Sequence, residues 1–232
     1  MSLVIKKIGG SLLKSNKDFK TIAAYLAKAY TINPRMIVVV SALHGETDRL
    51  IHEAEAVCPN QCQARELLLS LGEQKSCALL GLALETLRIP YTIFSGTHVG
   101  IAKEQNGDYT VDKAAYEAAL QNGMIIVSGF HVADTTLNLI NLGRGGSDFT
   151  AILLAHALKA DTCELIKDVP GVFNTRPEWG PLGQFFKTLS FDQMLALSDQ
   201  GVPVVQKAAL LFAKQHKVSF RVTNLTGVGT TI

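Results

Sequence analysis

Arg144, Ser147 and Asp148 stand among three glycines in the stretch NLGRGGSDFTAILLAHAL, residues 141–158. Glycines that close together are poor material for a helix or a strand. The residues after them, Ala151 to Ala155 with Ala157 and Leu158, form an apolar run of good helix propensity. The glycines therefore belong to a tight loop that feeds a helix N-terminus. Such a loop offers backbone N–H groups and the positive end of a helix dipole, which suits an anion. A plain turn with a capping serine or aspartate fits the same residues.

Four more clusters bear on chemistry. In IKKIGGS, residues 5–11, a strand runs into Gly9 and Gly10 and then a helical stretch. Backbone amides can approach a phosphate there while a strand lysine supplies charge, although an ordinary turn reads the same way. Neither G-x-x-x-x-G-K-[ST] nor G-x-G-x-x-G is present, which argues against a Walker loop and a dinucleotide fold. In VVVSALHGETDRL, residues 38–50, an apolar strand empties into Ser41, Gly45, Thr47 and Asp48. The hydroxyls suit a carboxylate or phosphate oxygen, or Thr47 or Asp48 caps the next helix, and His44 reads as a solvated loop residue. In LLLSLGEQKSCALLGLALE, residues 67–85, Glu73 sits inside an apolar helical pattern. A carboxylate in that position requires a cation, from the protein or from a substrate amine, whereas Lys75 reads as a solvated residue. In CELIKDVPGVFNTRPE, residues 163–178, Asp168 ends a strand and opens a Pro-Gly turn that holds the edge of a nucleotide or is a turn alone.

The elements that must position these residues follow from the apolar pattern. Strands are expected at Leu3–Ile8, Met36–Ser41, Tyr91–Phe94, Met124–Ser128, Thr162–Ile166 and Ser219–Val222. Helices are expected at Phe19–Tyr30, Ala64–Leu87, Lys113–Gln121, Phe149–Leu158 and Val204–His216. That alternation predicts an α/β fold, a mostly parallel sheet with helices on both faces. Ligands in such sheets gather beyond the carboxyl ends of the strands, where the five clusters fall. Pro170, Pro177 and Pro181 mark an irregular stretch before the next helix, and no linker divides the chain.

The 232 residues suffice for one large domain or two small lobes, and a net charge of +2 gives no footing for nucleic acid or an anionic membrane. No apolar stretch reads as long enough for a membrane span, and the N-terminus enters a strand directly rather than a signal peptide. Cys58, Cys62, Cys77 and Cys163 lack metal-site spacing and read as free thiols in a reducing compartment, hence a cytoplasmic protein.

Taken in order, KKIGGS, VVSALHGETDRL, LSLGEQKSCALL, SGF, LGRGGSDFTAILLAHALKAD, KDVPGVF and the closing GTTI resemble the amino acid kinase family, and within it the catalytic domain of aspartokinases. The resemblance covers almost the whole chain, and GRGGSD with GEQ is its specific part, since glutamate, carbamate and uridylate kinases carry other residues there. It implies a three-layer αβα sandwich in one domain, with residues 1–160 as acceptor lobe and 161–232 as nucleotide lobe. It implies phosphorylation of the side-chain carboxylate of L-aspartate by ATP, with magnesium carried by the nucleotide and no metal site of the protein's own. Residue by residue, Lys7 would neutralise the transferring phosphoryl group and Gly9 and Gly10 would hold its oxygens. Arg144 would grip the acceptor α-carboxylate as a planar fork, Glu73 would receive the ammonium, and Ser41, Thr47 and Ser147 would line the acceptor pocket. Asp148 would orient Lys7, because a β-carboxylate acceptor is already ionised. Gly145 and Gly146 would lie on phosphate oxygens, and Asp168, Gly171 and Phe173 against the nucleotide. Partners implied are an amino acid, ATP and a second copy in a homodimer.

The chain departs from that pattern mainly on the nucleotide side. Lys167 replaces a threonine, Phe173 a tyrosine, Arg176 an aspartate and Glu178 an arginine, and Pro203 takes the place of a lysine expected at the phosphates. Lys167, or Lys207 one helical turn beyond Pro203 if Pro203 opens the helix, would supply the missing charge, with Lys167 preferred. VADTTLNLINLGRGG also lacks the usual Gly-x-Thr-Thr. Two alternatives therefore stand beside an aspartate kinase: a kinase of the same fold for another small amino acid, carboxylate or phosphate, and a catalytically weak amino-acid-binding or partner subunit. Aspartokinases continue past the Gly-Thr-x-Ile stretch into small regulatory domains, so the resemblance implies no feedback control of that kind within residues 1–232.

Overall fold

Met36, Val38 and Val40 of the run MIVVV pack on one side of a sheet, and Ile37 and Val39 pack on the other. A strand apolar on both faces must be covered on both, which is the physical requirement for a helix layer on each side. The computed structural model describes residues 2–175, 183–202 and 204–232. Its central sheet has seven strands in the order β13 (Gly229–Thr231), β12 (Arg221–Thr223), β9 (Thr162–Ile166), β1 (Val4–Ile8), β2 (Met36–Val40), β6 (Met124–Ser128) and β3 (Tyr91–Phe94). All neighbours are parallel except β12 and β13.

On one face α1 (Asn16–Ile32) and α3 (Gln63–Glu85) bury Phe19, Ile22, Leu26, Leu80 and Leu84 against Ile8, Val38 and Ile126. On the other, α4 (Lys113–Leu120), α5 (Gly146–Ala157) and α7 (Lys207–His216) bury Tyr116, Ile152, Leu154 and Leu210 against Ile5, Val39, Val127 and Leu165. The expected three-layer αβα architecture is therefore the one found.

Two helices, two small sheets and the edge strand β13 lie outside the sequence expectation. α2 (Glu46–Val57) packs on α3, and α6 (Phe191–Asp199) packs on α7. A four-stranded sheet runs β5 (Tyr109–Val111), β4 (Ile101–Lys103), β7 (His131–Asp134) and β8 (Leu139–Asn141), and β10 (Val172–Phe173) pairs with β11 (Phe185–Phe186). The last helix starts at Lys207 rather than Val204. Pro203 itself, with Arg176 and Glu178, lies outside the described residues.

One helix bears on the expectation that no apolar stretch is long enough for a membrane span. The 23 residues of α3 are long and apolar enough to cross a membrane by length and composition, with a mean hydropathy of 1.3 in their most apolar window. More than half of that window is buried inside the fold, between α1, α2 and the sheet, so the apolarity has a core to serve.

Candidate active site

The carboxyl ends of β9, β1, β2 and β6 lie side by side, and those of β1, β2 and β6 open onto one cleft of about 700 Å³. β1 decides which of its two lysines faces it. Side chains alternate along a strand: Lys6 turns to the α1 side, paired with Glu164 and 3.3 Å from the Tyr25 hydroxyl, while Lys7 turns toward α5. Lys7 is buried, lines the cleft and sits 2.7 Å from Asp148 Oδ1.

Asp148 is held in place by the start of α5. Gly145 caps that helix with φ +81°, a left-handed conformation that a side chain would strain, and the Asp148 N–H donates to the Gly145 carbonyl at 2.9 Å. The carboxylate thus enters the first helical turn, where the helix dipole favours a negative charge. From the end of β9, Lys167 Nζ donates to its second oxygen at 2.9 Å. Burial opposes the charge on Asp148, but Lys167 and Lys7 outweigh it and hold the carboxyl at about 2. Burial also pulls Lys7 below the ordinary lysine value, against the attraction of Asp148. Two lysines on one carboxylate leave a net positive charge, which a phosphoryl group can answer. The turn after β1 comes close to this cluster: a Cβ on Gly10 would stand 2.9 Å from the Ala42 carbonyl oxygen, so only glycine fits there.

Across the cleft, α3 presents Glu73. The residue is 3% exposed, and its Oε1 accepts the Ala42 N–H at 3.1 Å while Oε2 is buried without a partner. Burial pushes the carboxyl up to about 7, against the pull of that N–H and of Lys7. A buried oxygen without a donor is a costly arrangement in the protein alone and a favourable one beside an incoming ammonium.

Most expected site residues converge. Lys7, Gly10, Ser41, Thr47, Glu73, Arg144, Gly145, Gly146 and Ser147 all line the cleft, and Asp148 lies directly behind Lys7. Gly9 stands at the turn beside the end of β9, its N–H donating to the Ile166 carbonyl at 2.9 Å. Arg144 is 89% exposed and rests 3.7 Å from Asp48, a solvated pair at the rim rather than a fixed fork. Asp168 accepts a hydrogen bond from Ser11 Oγ at 2.8 Å. Gly171 precedes β10 and Phe173 lies in it, its ring tilted at 57° to Phe185 with centroids 5.4 Å apart, and neither residue lines this cleft. Lys207 is drawn to Asp199 at 2.6 Å on the α6–α7 pair, and Lys75 binds Glu46 at 3.1 Å.

The sequence reading missed Ser11, Arg65 and Asn141 as cleft residues, and His44, exposed as expected of a solvated loop residue, also lines the cleft. Arg65 had a signal: it precedes Glu73 by eight residues, two turns along one helix face. Among the described residues no group of three or more His, Cys, Asp or Glu side chains is placed to hold a metal ion.

Comparison with known proteins agrees with this fold. A family model described as "Amino acid kinase family" matches residues 2–224. The aspartate kinase of Pseudomonas fluorescens is 35% identical over 242 residues, covering 100% of this chain and 59% of that protein. The chain thus spans under two thirds of that curated relative. Among solved structures, the aspartate kinase from Synechocystis superposes with a TM-score of 0.87 at 31% identity, over 100% of this chain and 40% of the other. E. coli aspartokinase III, solved in complex with aspartate and ADP, gives a TM-score of 0.80 at 22% identity over 99% of this chain and 64% of the other.

Proposed function

We propose that this chain, which belongs to the amino acid kinase family, transfers a phosphoryl group from ATP to the side-chain carboxylate of L-aspartate, giving 4-phospho-L-aspartate and ADP. One observation carries the reading: a single cleft has Lys7 on its floor, backed by Asp148 and Lys167, and Glu73, with an unpartnered buried carboxyl oxygen, on its wall. The floor suits a phosphoryl group and the wall suits an ammonium, so the acceptor is an amino acid with an anionic end. The relatives named aspartate kinase support the choice of aspartate.

The transfer is in-line, and the protein's part is positioning and charge stabilisation. Lys7 and Lys167 neutralise charge on the phosphoryl oxygens, and Asp148 fixes the two ammonium groups at their stations before the reaction begins. The Gly9 and Gly10 turn and the Gly145–Gly146 start of α5 bring backbone close to those oxygens. ATP with its magnesium fits this floor, because both Asp148 oxygens are taken by lysines and the net charge left is positive. Magnesium supplies further charge neutralisation when bound with the nucleotide. Ser41, Thr47 and Ser147 offer hydroxyls to the acceptor, Arg144 its guanidinium to the α-carboxylate, and Asp168, Gly171 and Phe173 belong to the nucleotide side.

The test is incubation with ATP, magnesium and a panel of amino acids in hydroxylamine. Aspartyl hydroxamate with equimolar ADP is expected. Hydroxamate or phosphate ester from another acceptor instead would replace aspartate within the same chemistry. Aspartate binding without ADP above background would overturn the kinase reading in favour of a binding subunit.

A further inference from the structure

Gln206 holds the N-cap position of α7, with φ −56° and ψ 133°, yet its side chain makes no hydrogen bond to its own helix. Glutamine is not among the residues that cap helices well, so capping does not account for it. The side chain crosses instead to the loop that opens α5, where Nε2 donates to the Leu142 carbonyl at 2.9 Å, 64 residues away in sequence. Its Cβ stands 3.1 Å from where a Cβ on Gly145 would lie, and Nε2 stands 3.7 Å from where one on Gly143 would lie. Both glycines have positive φ, +78° and +81°, so loop and glutamine fit together through the absence of side chains. Oε1 is shut off from water without a donor, which carries a desolvation penalty. An apolar side chain of the same length would fill this space without that penalty, but it could not donate to Leu142.

The bond acts on a loop that moves as one piece. The Leu142 N–H donates to the Phe130 carbonyl at 2.7 Å, and Phe130 keeps φ +71°, which a bulky residue holds only when its surroundings impose it. The Gly146 N–H donates to the Gly143 carbonyl at 2.9 Å and the Asp148 N–H to the Gly145 carbonyl at 2.9 Å, so the loop and the first turn of α5 are continuous. Asn141 fastens this piece toward α3, and Gln206 fastens it to α7. Phe149 and Phe212 also pack α5 on α7, with ring centroids 5.1 Å apart. Apolar contact of that kind is non-directional, so the hydrogen bond is what sets the loop's place along α7.

We propose that Gln206 is a positioning residue of the phosphoryl transfer. Its amide holds residues 142–146, and with them the first turn of α5, where Asp148 aligns Lys7 and Lys167. The proposal rests on the kinase reading. Gln206 is not among the described residues that line the cleft, so its effect passes through the loop.

Steady-state kinetics with ATP and L-aspartate, joined to amide hydrogen exchange over residues 142–148, tests this on the wild type, Gln206→Met and Gln206→Glu. Gln206→Met keeps the stem and loses the donor. It is expected to lower kcat about tenfold with both KM values within about threefold, and to speed exchange in the loop about tenfold. Gln206→Glu sets a carboxylate against the Leu142 carbonyl at pH 8 and a donating carboxyl at pH 5.5, since burial raises such a group above its ordinary value. Its kcat deficit relative to wild type should therefore shrink as pH falls, a rescue that lost packing would not show. This variant also carries the comparison if Gln206→Met does not fold. An unchanged kcat, unchanged loop exchange, or a deficit in Gln206→Glu that ignores pH would overturn the assignment. A wild type that releases no ADP with any amino acid would overturn the kinase reading and the assignment with it, an outcome distinct from an active wild type matched by its variants.

Discussion

Burial pushes the Glu73 carboxyl up to about 7, with the Ala42 N–H and the Lys7 charge pulling the other way, so near neutral pH the group is divided between its two forms. Only the ionised form attracts an ammonium. The Kd for aspartate should therefore fall about tenfold per pH unit from 5.5 toward 7 and level off above, and Glu73→Gln should bind more weakly with a flat profile. Stability moves in the opposite sense. A raised folded-state pKa means that the contribution of Glu73 is fully present below its ordinary value of 4.5 and is lost as pH rises through 7. Glu73→Gln keeps an acceptor for the Ala42 N–H and loses the titration, so it should be more stable than wild type by ~3 kcal/mol above pH 8 and near equal at pH 4. Urea titrations at the two pH values check this, and an equal difference at both would sink it. The lysines give a second test at the same scale. Lys167 shares Asp148 with Lys7, whereas Lys207 is spent on Asp199. Lys167→Ala should lower kcat/KM for ATP by tenfold or more, while Lys207→Ala stays within about twofold. If neither variant reaches tenfold, Lys167 does not supply the charge that the nucleotide side lacks.

Helix α3 and strand β8 set the width of the cleft between them. Asn141 Nδ2 donates to both oxygens of Glu66 on α3, and Asn141 Oδ1 accepts the Gly143 N–H at 3.2 Å. The clamp ties the glycine loop that opens α5 to the helix that carries Glu73. His131 completes it, held down to about 4 by burial against the Glu66 charge and therefore neutral at pH 7. Asn141→Ala should raise the acceptor KM about fivefold or more, cost about 1–2 kcal/mol of stability, and leave the KM for ATP within twofold. A loss of stability without a change in KM would make the clamp structural only. None of this was legible in the sequence, since a polar residue at a strand end does not say what it holds. The small sheet was equally silent: Ile101–Lys103, Tyr109–Val111 and Leu139–Asn141 are three residues each, too short for a period of two to show. β2 and β6 were plain because strands buried on both faces read as continuous apolar runs. Helix α2 buries only Leu50 and Ala54, so few apolar residues mark it. Glu73 stood out as a carboxylate in an apolar helix, while Arg65, between Ala64 and Glu66 at the start of α3, was marked only by its two-turn spacing from Glu73.

The two lobes expected from the sequence meet inside one sheet rather than across a seam. β1 lies between β2 of the first lobe and β9 of the second, paired in register with both over five residues. The Leu3 N–H donates to Asp161 Oδ2 at 2.6 Å across the same boundary. Ile5 and Val39 share one buried cluster with Leu165 and Val222, and Lys167 from the second lobe completes the charge pair of Asp148 from the first. Removing residues 161–232 would expose the β9 side of β1 to water and leave Asp148 with Lys7 alone. The lobes therefore have no separate cores to melt independently, and a single cooperative transition is the expected behaviour despite the chain length. Urea unfolding followed by far-UV circular dichroism and by aspartate binding should give coincident midpoints, and aspartate should shift both upward together. A fragment of residues 1–160 should show no cooperative transition, because the central strand of its sheet has become an unprotected edge. Two resolved transitions, or a folded fragment that binds aspartate as tightly as the whole chain, would show instead that the acceptor half is a self-sufficient unit and that Lys167 adds nothing to the acceptor side of the site.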